Sequence, residues 1–406
     1  EVQVTSDEGL NAYGAVTWGQ FFVYQGFNTR VGWMHTSSGV NDISDYAETI
    51  VKNGNALGYR YGGQVRPLVT STITVPYKTA NGTSARRFTV YRTVHGPIVM
   101  AADGKWVSVR LMQEPVKALT QSYIRTKATN YKTFRESMEL HTNSSNNTIF
   151  ADADGDIAYF HANYIARRND KLDWTKPVDG SDTATDWKGL LSVDETPHLL
   201  NPASGWLYNS NNWPWSAAGP YSPKREDFPS YVETGTSETA RGVHAIRVLE
   251  HAHAYTLDSL MTEAYDSYLP AFAITIPALV KAWDDASSGD SLKTKTAEQI
   301  ALLRAWDYRW GVSSVPTALA IFWAEELGRG SGDPTVAYFE HLANETSGAD
   351  KLRALAAASD HLTTAYGSWK TPWGQINRFQ RLTPQIVQVY DLSLIHISEP
   401  TRQAEI

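Results

Sequence analysis

Two adjacent asparagines, Asn146 and Asn147, open a strand–turn–strand pattern and are the residues of this sequence that first suggest chemistry. Apolar and polar residues alternate after them, and Asp154 with Gly155 marks a tight turn, because glycine tolerates positive φ and aspartate bonds its own backbone. An asparagine held at a strand end is a rigid amide donor, and such a donor stabilises the oxyanion of an acyl transfer. The simpler alternative is a hairpin whose asparagine caps a turn.

The same hairpin carries acidic residues at a spacing that resembles a calcium loop. Asp152, Asp154 and Asp156 occupy the first, third and fifth positions of such a loop. Its glycine falls at the fourth position instead of the sixth, and Asn163 stands where a bidentate glutamate is needed. We therefore interpret the segment as a solvated acidic turn.

Composition excludes several classes of function. The chain has 406 residues, enough for a large core or for two to three domains. Its net charge is −7 without a basic block, so nucleic acid is not an expected partner. Cysteine is absent, which excludes thiol catalysis, disulfides and cysteine-based zinc sites. The longest apolar stretch, 268–280, contains two prolines and is too short to span a bilayer, so no membrane span is expected.

Hydrophobic periodicity divides the chain into a β-rich part up to residue 237 and a helical part over 238–366. Residues 367–391 are expected to return towards the first part. Residues 392–406 break the pattern and resemble the translated end of a sequencing adapter, so we expect a tail foreign to the fold. The alternative is an ordinary disordered tail.

Individual elements follow from the same periodicities. Alternation over 69–75 and 87–94, on either side of an Asn-Gly pair, predicts an antiparallel hairpin with one face in water. A helix is predicted near 131–140. Thr256 is a good helix cap before a run of helical spacing. The further predicted helices cover 297–306, 317–327 and 351–366.

Histidines and serines give no familiar catalytic motif. His35, His95, His141 and His161 lack the spacing of a metal site on one helix, so we predict structural histidines with satisfied hydrogen bonds. The sequence contains no Gly-x-Ser-x-Gly segment, which makes an α/β-hydrolase serine enzyme a poor match.

Six groups of segments, taken in order, resemble the β-subunit of the penicillin acylase family of N-terminal-nucleophile (Ntn) amidohydrolases. They are Gln-Gly-Phe-Asn at 25–28 with Gly-Trp-Met-His-Thr at 32–36, Tyr-Arg-Thr-Val-His-Gly-Pro at 91–97, the hairpin 147–161, Asp-Trp-Lys-Gly-Leu-Leu at 186–191, 201–206 with 209–212, and 373–375 with 378–381. The resemblance implies an α+β fold of αββα layers with antiparallel sheets. On this basis residues 1–237 are expected to form a partial Ntn-hydrolase core and 238–366 a helical excursion.

The resemblance also implies residues for a site. In this family an N-terminal serine attacks the amide, and its own α-amino group acts as the base. By position, Asn147 is the side-chain donor to the oxyanion, and the backbone N–H of Ser37 is the second donor. Arg168 matches the arginine that orients the nucleophile's surroundings, with Arg167 as the alternative. Gln25 and its neighbour Tyr24 are expected at the acyl-binding pocket, where a polar Gln25 either favours a polar acyl group or bonds to backbone.

Calcium is the one metal ion that the resemblance suggests. No cofactor is required for the chemistry, but some family members hold a structural calcium close after the backbone donor. The matching residues here are Asn41, Asp42 and Ile43, where Asn41 replaces an expected acidic ligand. The resemblance therefore predicts a structural calcium at these residues with an incomplete set of acidic ligands.

The nucleophile itself has no match in this chain. Glu1 does not perform this chemistry, and nothing around Thr5 and Ser6 resembles the family's processing site. We therefore expect an internal fragment that is inert alone, whose partners are an α-subunit, the remainder of the β-subunit and a small acyl-amide substrate. The family's habit implies a periplasmic or secreted location.

Two functions of different classes remain. The favoured one is part of an amidohydrolase acting on an acyl amide, such as an acylated β-lactam nucleus or homoserine lactone. The rival is a non-catalytic, aromatic-rich β-domain that binds carbohydrate and carries a helical appendage. The first requires the Asn147 amide and the Ser37 N–H to converge. The second requires coplanar exposed rings, for example among Trp206, Trp213 and Trp215.

Overall fold

The protein is described by a computed structural model that covers residues 1–17, 19–54, 56–251, 254–328 and 334–378. The chain forms two compact units, one over Glu1–Thr236 and one that begins at Ser237. The predicted tail at 392–406, the segment 379–391 and the last three residues of the sixth motif lie outside the described residues. The predicted domain boundaries at residues 237, 366 and 391, and the character given to each domain, stay predictions.

The first unit is built mainly from short strands. They are β1 (Val2–Thr5), β2 (Asn11–Ala15), β3 (Gln25–Asn28), β4 (Val31–Ser37), β5 (Ser44–Glu48), β6 (Ile50–Asn53), β7 (Ala56–Tyr61), β8 (Gln64–Pro67), β9 (Val69–Thr79), β10 (Gly82–Arg92), β11 (Ile98–Ala102), β12 (Lys105–Arg110), β13 (Asn146–Asp152), β14 (Ile157–Phe160), β15 (Val178–Asp179) and β16 (His198–Leu200). Two helices accompany them, α1 (Pro115–Ile124) and α2 (Tyr131–Met138).

The largest sheet has seven strands in the order β1-β2-β3-β4-β13-β14-β16. A second sheet has the order β11-β12-β5-β15, and β6-β7-β8 form a third. The described strand pairs are antiparallel except for β5 with β15. The predicted α+β class with antiparallel sheets is therefore confirmed.

The hairpin predicted around the Asn-Gly pair forms as β9 and β10, but its environment differs from the prediction. The two strands pair over eleven residues each and make a sheet of their own. The prediction of one buried face is wrong, since every residue of β9 is exposed, including Ile73 and Tyr77. In the described part of the chain no third strand pairs with this ribbon, and an isolated two-stranded ribbon cannot bury one of its faces.

Helices α1 and α2 pack on one face of the large sheet. Phe134 and Met138 of α2 are buried against Phe150 of β13 and Phe160 of β14, and the rings of Phe134 and Phe150 have centroids 4.7 Å apart. Side chains alternate along a strand, so even-numbered residues of β13 face these helices and odd-numbered ones face away. This alternation decides where the site residues of β13 point.

The second unit is helical. It consists of α3 (Ala240–Leu249), α4 (Leu257–Ala264), α5 (Pro270–Asp285), α6 (Ser291–Lys295), α7 (Ala297–Arg304), α8 (Val315–Leu327), α9 (Val336–Asn344), α10 (Gly348–Tyr366) and α11 (Trp373–Ile376). Its core contains fully buried side chains from four helices, among them Leu279, Leu303, Trp323 and Leu355. None of the helices in the described ranges is both long and apolar enough to cross a bilayer.

Candidate active site

Asn147 lies in β13, and its side chain is held by one end only. It is completely buried and, by the alternation of the strand, faces away from α1 and α2. Its Oδ1 accepts hydrogen bonds from the Tyr159 hydroxyl at 2.8 Å and from His161 Nδ1 at 2.8 Å. Its Nδ2 is buried and has no partner among the described residues. Two donors on the oxygen therefore leave the amide nitrogen as an oriented, unused donor.

The hairpin explains why these side chains meet. Ile149 pairs with Tyr159, so the next residues outward, Asn147 and His161, lie on the same face of the sheet. The turn between the strands has Gly155 at a φ of +97°, a conformation that glycine adopts without strain. The predicted Asp-Gly hairpin is confirmed, and it positions both orienting groups.

His161 is a neutral member of this cluster. Burial lowers the pKa of His161 to about 4, so its imidazole is uncharged near neutral pH. Its Nε2 faces Glu233 Oε2 at 3.5 Å, and neither atom has a hydrogen-bond partner within the residues that the structure describes. Burial raises the pKa of the Glu233 carboxyl. The prediction of fully satisfied structural histidines is wrong here, and it is also wrong for His35 and His95, whose Nε2 atoms are buried without a hydrogen-bond partner among the described residues.

Ser37 ends β4, beside the same part of β13. Ser37 pairs with Asn146, and Thr36 pairs with Asn147, so the two predicted donors belong to adjacent rungs of one ladder. The N–H of Ser38 donates to the Ser145 carbonyl at 2.9 Å, so Ser38 and Ser145 are a hydrogen-bonded pair. Because such pairs alternate along antiparallel strands, the neighbouring pair of Ser37 and Asn146 is not hydrogen-bonded. The N–H of Ser37 therefore points away from β13 and is not used by that ladder.

Arg168 and Arg167 have different environments, which bears on the choice between them. Arg168 is buried among the rings of Trp174, Trp187 and Tyr231, with its guanidinium 5.2, 5.6 and 5.7 Å from their centroids. Its Nη2 donates to the Ile43 carbonyl at 3.3 Å, while Nε and Nη1 have no hydrogen-bond partner in the described ranges. Burial lowers the pKa of Arg168 to about 10. Arg167, in contrast, forms a surface ion pair.

Within the part of the chain that the structure describes, Arg168 forms no hydrogen bond or ring contact with Asn147 or Ser37. The ion pair of Arg167 joins it to Glu195 at 2.8 Å with both side chains part-exposed. Exposed ion pairs of this kind contribute little to the stability of the fold. A buried guanidinium with unpaired donors, in contrast, can bind a ligand or a nucleophile. The orienting role of Arg168 stays a prediction.

The two residues predicted at the acyl pocket have separate environments. Tyr24 lines a cleft of about 110 Å³, and its hydroxyl accepts a hydrogen bond from Asn146 Nδ2 at 2.5 Å. Gln25 accepts the backbone N–H of His35 at 3.4 Å through its Oε1. The side-chain oxygen of Gln25 is therefore already bonded to backbone, and of these two residues Tyr24 lines the cleft. The cleft is lined by Tyr24, Gln121, Ser122, Arg125 and Thr142 to Asn146.

The residues predicted to hold calcium are not arranged as a ligand set. The Ile43 carbonyl accepts from the guanidinium of Arg168, and the Asn41 amide nitrogen donates to the Trp174 carbonyl at 3.0 Å. Asp42 supplies the one carboxylate among these three residues, and burial raises the pKa of that carboxyl group. Within the described ranges, no three His, Asp or Glu side chains gather to hold a metal ion. These residues do not fit a calcium ion as they stand, and calcium binding stays a prediction.

The tryptophans named for a carbohydrate platform do not form one. Trp206, Trp213 and Trp215 are each half-buried. Trp206 packs at 42° to Tyr208, and Trp215 packs at 34° to Phe228. These rings serve local packing and leave no flat exposed row on which a sugar could stack.

Comparison with known proteins agrees with this fold. The penicillin amidase family matches residues 1–398. A penicillin G acylase of Escherichia coli is 29% identical over 320 residues, which cover 74% of this chain and 35% of that protein. An acyl-homoserine lactone acylase, QuiP, of Pseudomonas syringae pv. syringae is 24% identical over 369 residues, which cover 86% of this chain and 41% of that protein.

Among solved structures, a thermostable penicillin G acylase from Alcaligenes faecalis matches with a TM-score of 0.67. It is 18% identical, and the match covers 90% of this chain and 73% of that chain, so it shows the fold. The chain belongs to the penicillin amidase family, as the ordered motifs predicted. It spans between about a quarter and two-fifths of the length of the curated relatives it matches.

Proposed function

We propose that this chain forms part of an amidohydrolase that cleaves the bond between an acyl group and an amine. The names of its relatives point to penicillin G and acyl-homoserine lactones as substrates of those proteins. For this chain the proposed substrate class is a small acyl amide. The proposal rests on family membership together with the arrangement around Asn147.

The single observation that carries the proposal is the free amide nitrogen of Asn147. A buried donor without a partner costs about 1–3 kcal/mol, so it is retained where it has a use. Here the Tyr159 hydroxyl and the His161 Nδ1 both occupy the opposite end of the amide. The Nδ2 is thereby preorganised to donate to a developing oxyanion, the arrangement that supplies much of the rate in acyl transfer.

The remaining roles are assigned through the family. A serine hydroxyl attacks the acyl carbon, and its α-amino group takes the proton and passes it to the leaving amine. The carbonyl oxygen gains negative charge, which the Asn147 Nδ2–H and the Ser37 N–H stabilise, and water then releases the acyl group. We propose that this serine is supplied from outside these 406 residues, that Arg168 orients its surroundings, and that the chain alone is inactive.

The proposal extends to partners and location. An α-subunit and further β-subunit residues would complete the site, and the assembled protein would act in the periplasm or outside the cell. The competing carbohydrate-binding function loses its support, because the rings on which it depended are half-buried and tilted.

The test is an amide-cleavage assay. The chain is produced alone and, separately, joined to its neighbouring coding sequence, and both preparations receive a series of acyl anilides that release a coloured amine. We expect turnover from the joined protein after it exposes an N-terminal serine, and none from the chain alone. A joined protein that exposes no such serine, or that leaves every anilide intact, would refute the proposed function.

A further inference from the structure

The carboxyl group of Glu233 lies behind His161 and is fixed at one of its two oxygens. Glu233 is 2% exposed, and its Oε1 accepts the backbone N–H groups of Gly235 and Thr236, each at 3.0 Å. Its Oε2 faces His161 Nε2 at 3.5 Å and has no hydrogen-bond partner among the described residues. Two donors on Oε1 therefore direct Oε2 at the imidazole, just as two donors on the oxygen of Asn147 direct its nitrogen.

The backbone that follows Ser37 packs directly against the same carboxyl group. Val40 and Glu233 form an antiparallel bridge, and the Gly39 carbonyl accepts the N–H of Thr234 at 3.2 Å. A side chain at position 39 would overlap Glu233 Oε1, so only glycine permits this close approach. Glu233 is consequently anchored to the segment that continues from one proposed oxyanion donor, and it faces the histidine that holds the other.

The hydrogen bond between His161 and Asn147 leaves a lone pair opposite Glu233. Asn147 Oδ1 is an acceptor, so His161 Nδ1 carries the hydrogen, and Nε2 of a neutral imidazole is then an acceptor too. An ionised carboxylate is also an acceptor, and two buried acceptors that face each other are both left unsatisfied. One proton between Nε2 and Oε2 removes this conflict and pairs both atoms.

Burial favours a position of this proton on Glu233. It lowers the pKa of His161 to about 4 and raises the pKa of the Glu233 carboxyl, so the uncharged forms of both groups are preferred. The Val232 carbonyl, which also faces the imidazole, opposes the first shift without cancelling it. Tyr159 is the other titratable neighbour, and burial together with Glu233 raises the pKa of its hydroxyl, so it stays neutral as well.

We propose that Glu233 is a positioning residue whose carboxyl O–H donates to His161 Nε2, and that this bond keeps His161 Nδ1–H directed at Asn147. The inference rests on the proposed function, since it concerns the support of the donor assigned to the oxyanion. A separation of 3.5 Å is long for a hydrogen bond, and such bonds in unliganded enzymes often shorten when substrate binds.

The proposed bond gives the oxyanion donor a dependence on alkaline pH. When base removes the proton from Glu233, the carboxylate favours the imidazole tautomer that carries its hydrogen on Nε2. His161 Nδ1 is then bare and no longer donates to the oxygen of Asn147. The amide of Asn147 loses one of the two bonds that orient it.

Nitrogen NMR of the chain with isotopically labelled histidine tests the bond without any need for turnover. The signals of His161 are those that disappear in His161→Gln. At neutral pH we expect its hydrogen on Nδ1, with Nε2 at the chemical shift of a hydrogen-bonded acceptor. Glu233→Gln retains a donor and should keep this state, whereas Glu233→Met should shift part of the population to the Nε2–H tautomer.

Kinetics of the joined protein, which carries this chain with its neighbouring coding sequence, tests whether the bond supports the reaction. Glu233→Met should lower kcat for an acyl anilide by about tenfold with little change in KM, because it disorders a donor that acts on the transition state. Glu233→Gln should recover most of that loss. It should also remove the decline of kcat that we expect at alkaline pH, since an amide does not titrate there.

Glu340→Gln and Glu340→Met are the matched controls at an exposed residue of α9, and they should change neither the tautomer nor kcat. The thermal midpoint of each variant shows whether it folds, and the NMR result on the unaltered chain stands even if Glu233→Met does not fold.

A His161 ring with its hydrogen on Nε2, or with hydrogens on both nitrogens, would overturn the inference. Unaltered kcat in a folded Glu233→Met protein, or an alkaline decline that persists in Glu233→Gln, would overturn it too. If the joined protein cleaves no anilide, the proposed function fails, and the NMR measurement still decides where the proton lies.

Discussion

At the scale of single residues, the role that we propose for Asn147 depends on which groups hold its side-chain oxygen. A free asparagine side chain could present either end of its amide, but two donors on Oδ1 select one orientation. Tyr159 lies in the second strand of the hairpin and His161 directly follows that strand, whereas Asn147 lies in the first strand. The local hairpin therefore builds the donor and its support together.

The neutral state of His161 predicts a pH dependence of stability. Its pKa is lowered to about 4 in the folded chain, while an unfolded histidine titrates near about 6.5, so the unfolded state binds more protons between these values. The free energy of unfolding should therefore fall as pH decreases through this window, by about 3 kcal/mol from this group. Urea unfolding at several pH values, with His161→Gln lacking this loss, checks the prediction.

His341→Gln provides the control for that series, because His341 is an exposed residue of α9 and should leave the pH dependence unchanged. If the free energy of unfolding of His161→Gln falls with acidification as steeply as that of the unaltered chain, then the burial of a neutral His161 is not what makes the protein acid-sensitive.

The sequence could predict Asn147 but not the residues that orient it. An asparagine before an Asp-Gly hairpin is visible as a pattern, and the family resemblance adds its role. The contacts of Tyr159 and His161 follow from strand register, which a sequence shows only once the pairing is known.

At the scale of elements, the helices with clear periodicity were predicted with small errors at their ends. The predicted helix over 351–366 forms as α10, three residues longer at its start, and Thr256 caps α4 through its side chain as expected. Helix α5 could not be predicted in the same way, because its segment contains Pro270 and Pro277. Pro270 occupies the first turn, where a missing N–H costs nothing, and the buried Ile276 and Leu279 hold the helix across Pro277.

The helical core predicts which leucines matter for stability. Leu355 of α10 is fully buried in the core of the second unit, whereas Leu257 of α4 is 83% exposed. Leu355→Ala should lower the free energy of unfolding by about 2–5 kcal/mol, because it removes buried apolar area and leaves a cavity. Leu257→Ala should change it by less than about 0.5 kcal/mol. Denaturant titration followed by helical circular dichroism makes the comparison, and similar losses for both variants would contradict this core.

The ribbon of β9 and β10 predicts a tendency to aggregate. Ile73 and Phe88 pair across the strands and are both exposed, so they form an apolar patch on an isolated ribbon. Replacing both with threonine keeps residues that favour strands and should slow aggregation without lowering the thermal midpoint. Light scattering during incubation measures this.

The same ribbon supplies a matched control. Thr72 and Thr89 pair on the opposite face, and their replacement by serine should leave the aggregation rate as it was. An unchanged rate in the Ile73 and Phe88 variant would mean that the patch is not the surface through which chains associate.

At the scale of the whole molecule, charge predicts how solubility varies with pH. The chain carries a net charge of −7 at pH 7, and its isoelectric point is about 5.9. Electrostatic repulsion between chains should disappear near that pH, so that exposed apolar side chains meet more often. Solubility measured in steps of pH should have its minimum near pH 6 and rise on both sides. A monotonic change through this range would contradict the expectation.

The central claim concerns the amide nitrogen of Asn147. Its most direct test is the turnover number, after Asn147→Ala, of the amidohydrolase of which we propose this chain to be part. We expect kcat for an acyl anilide to fall by about a hundredfold or more, since one preorganised oxyanion donor is lost. Asn344→Ala, at the exposed end of α9, should retain the original rate. Near-normal turnover by a folded Asn147→Ala enzyme would contradict the account.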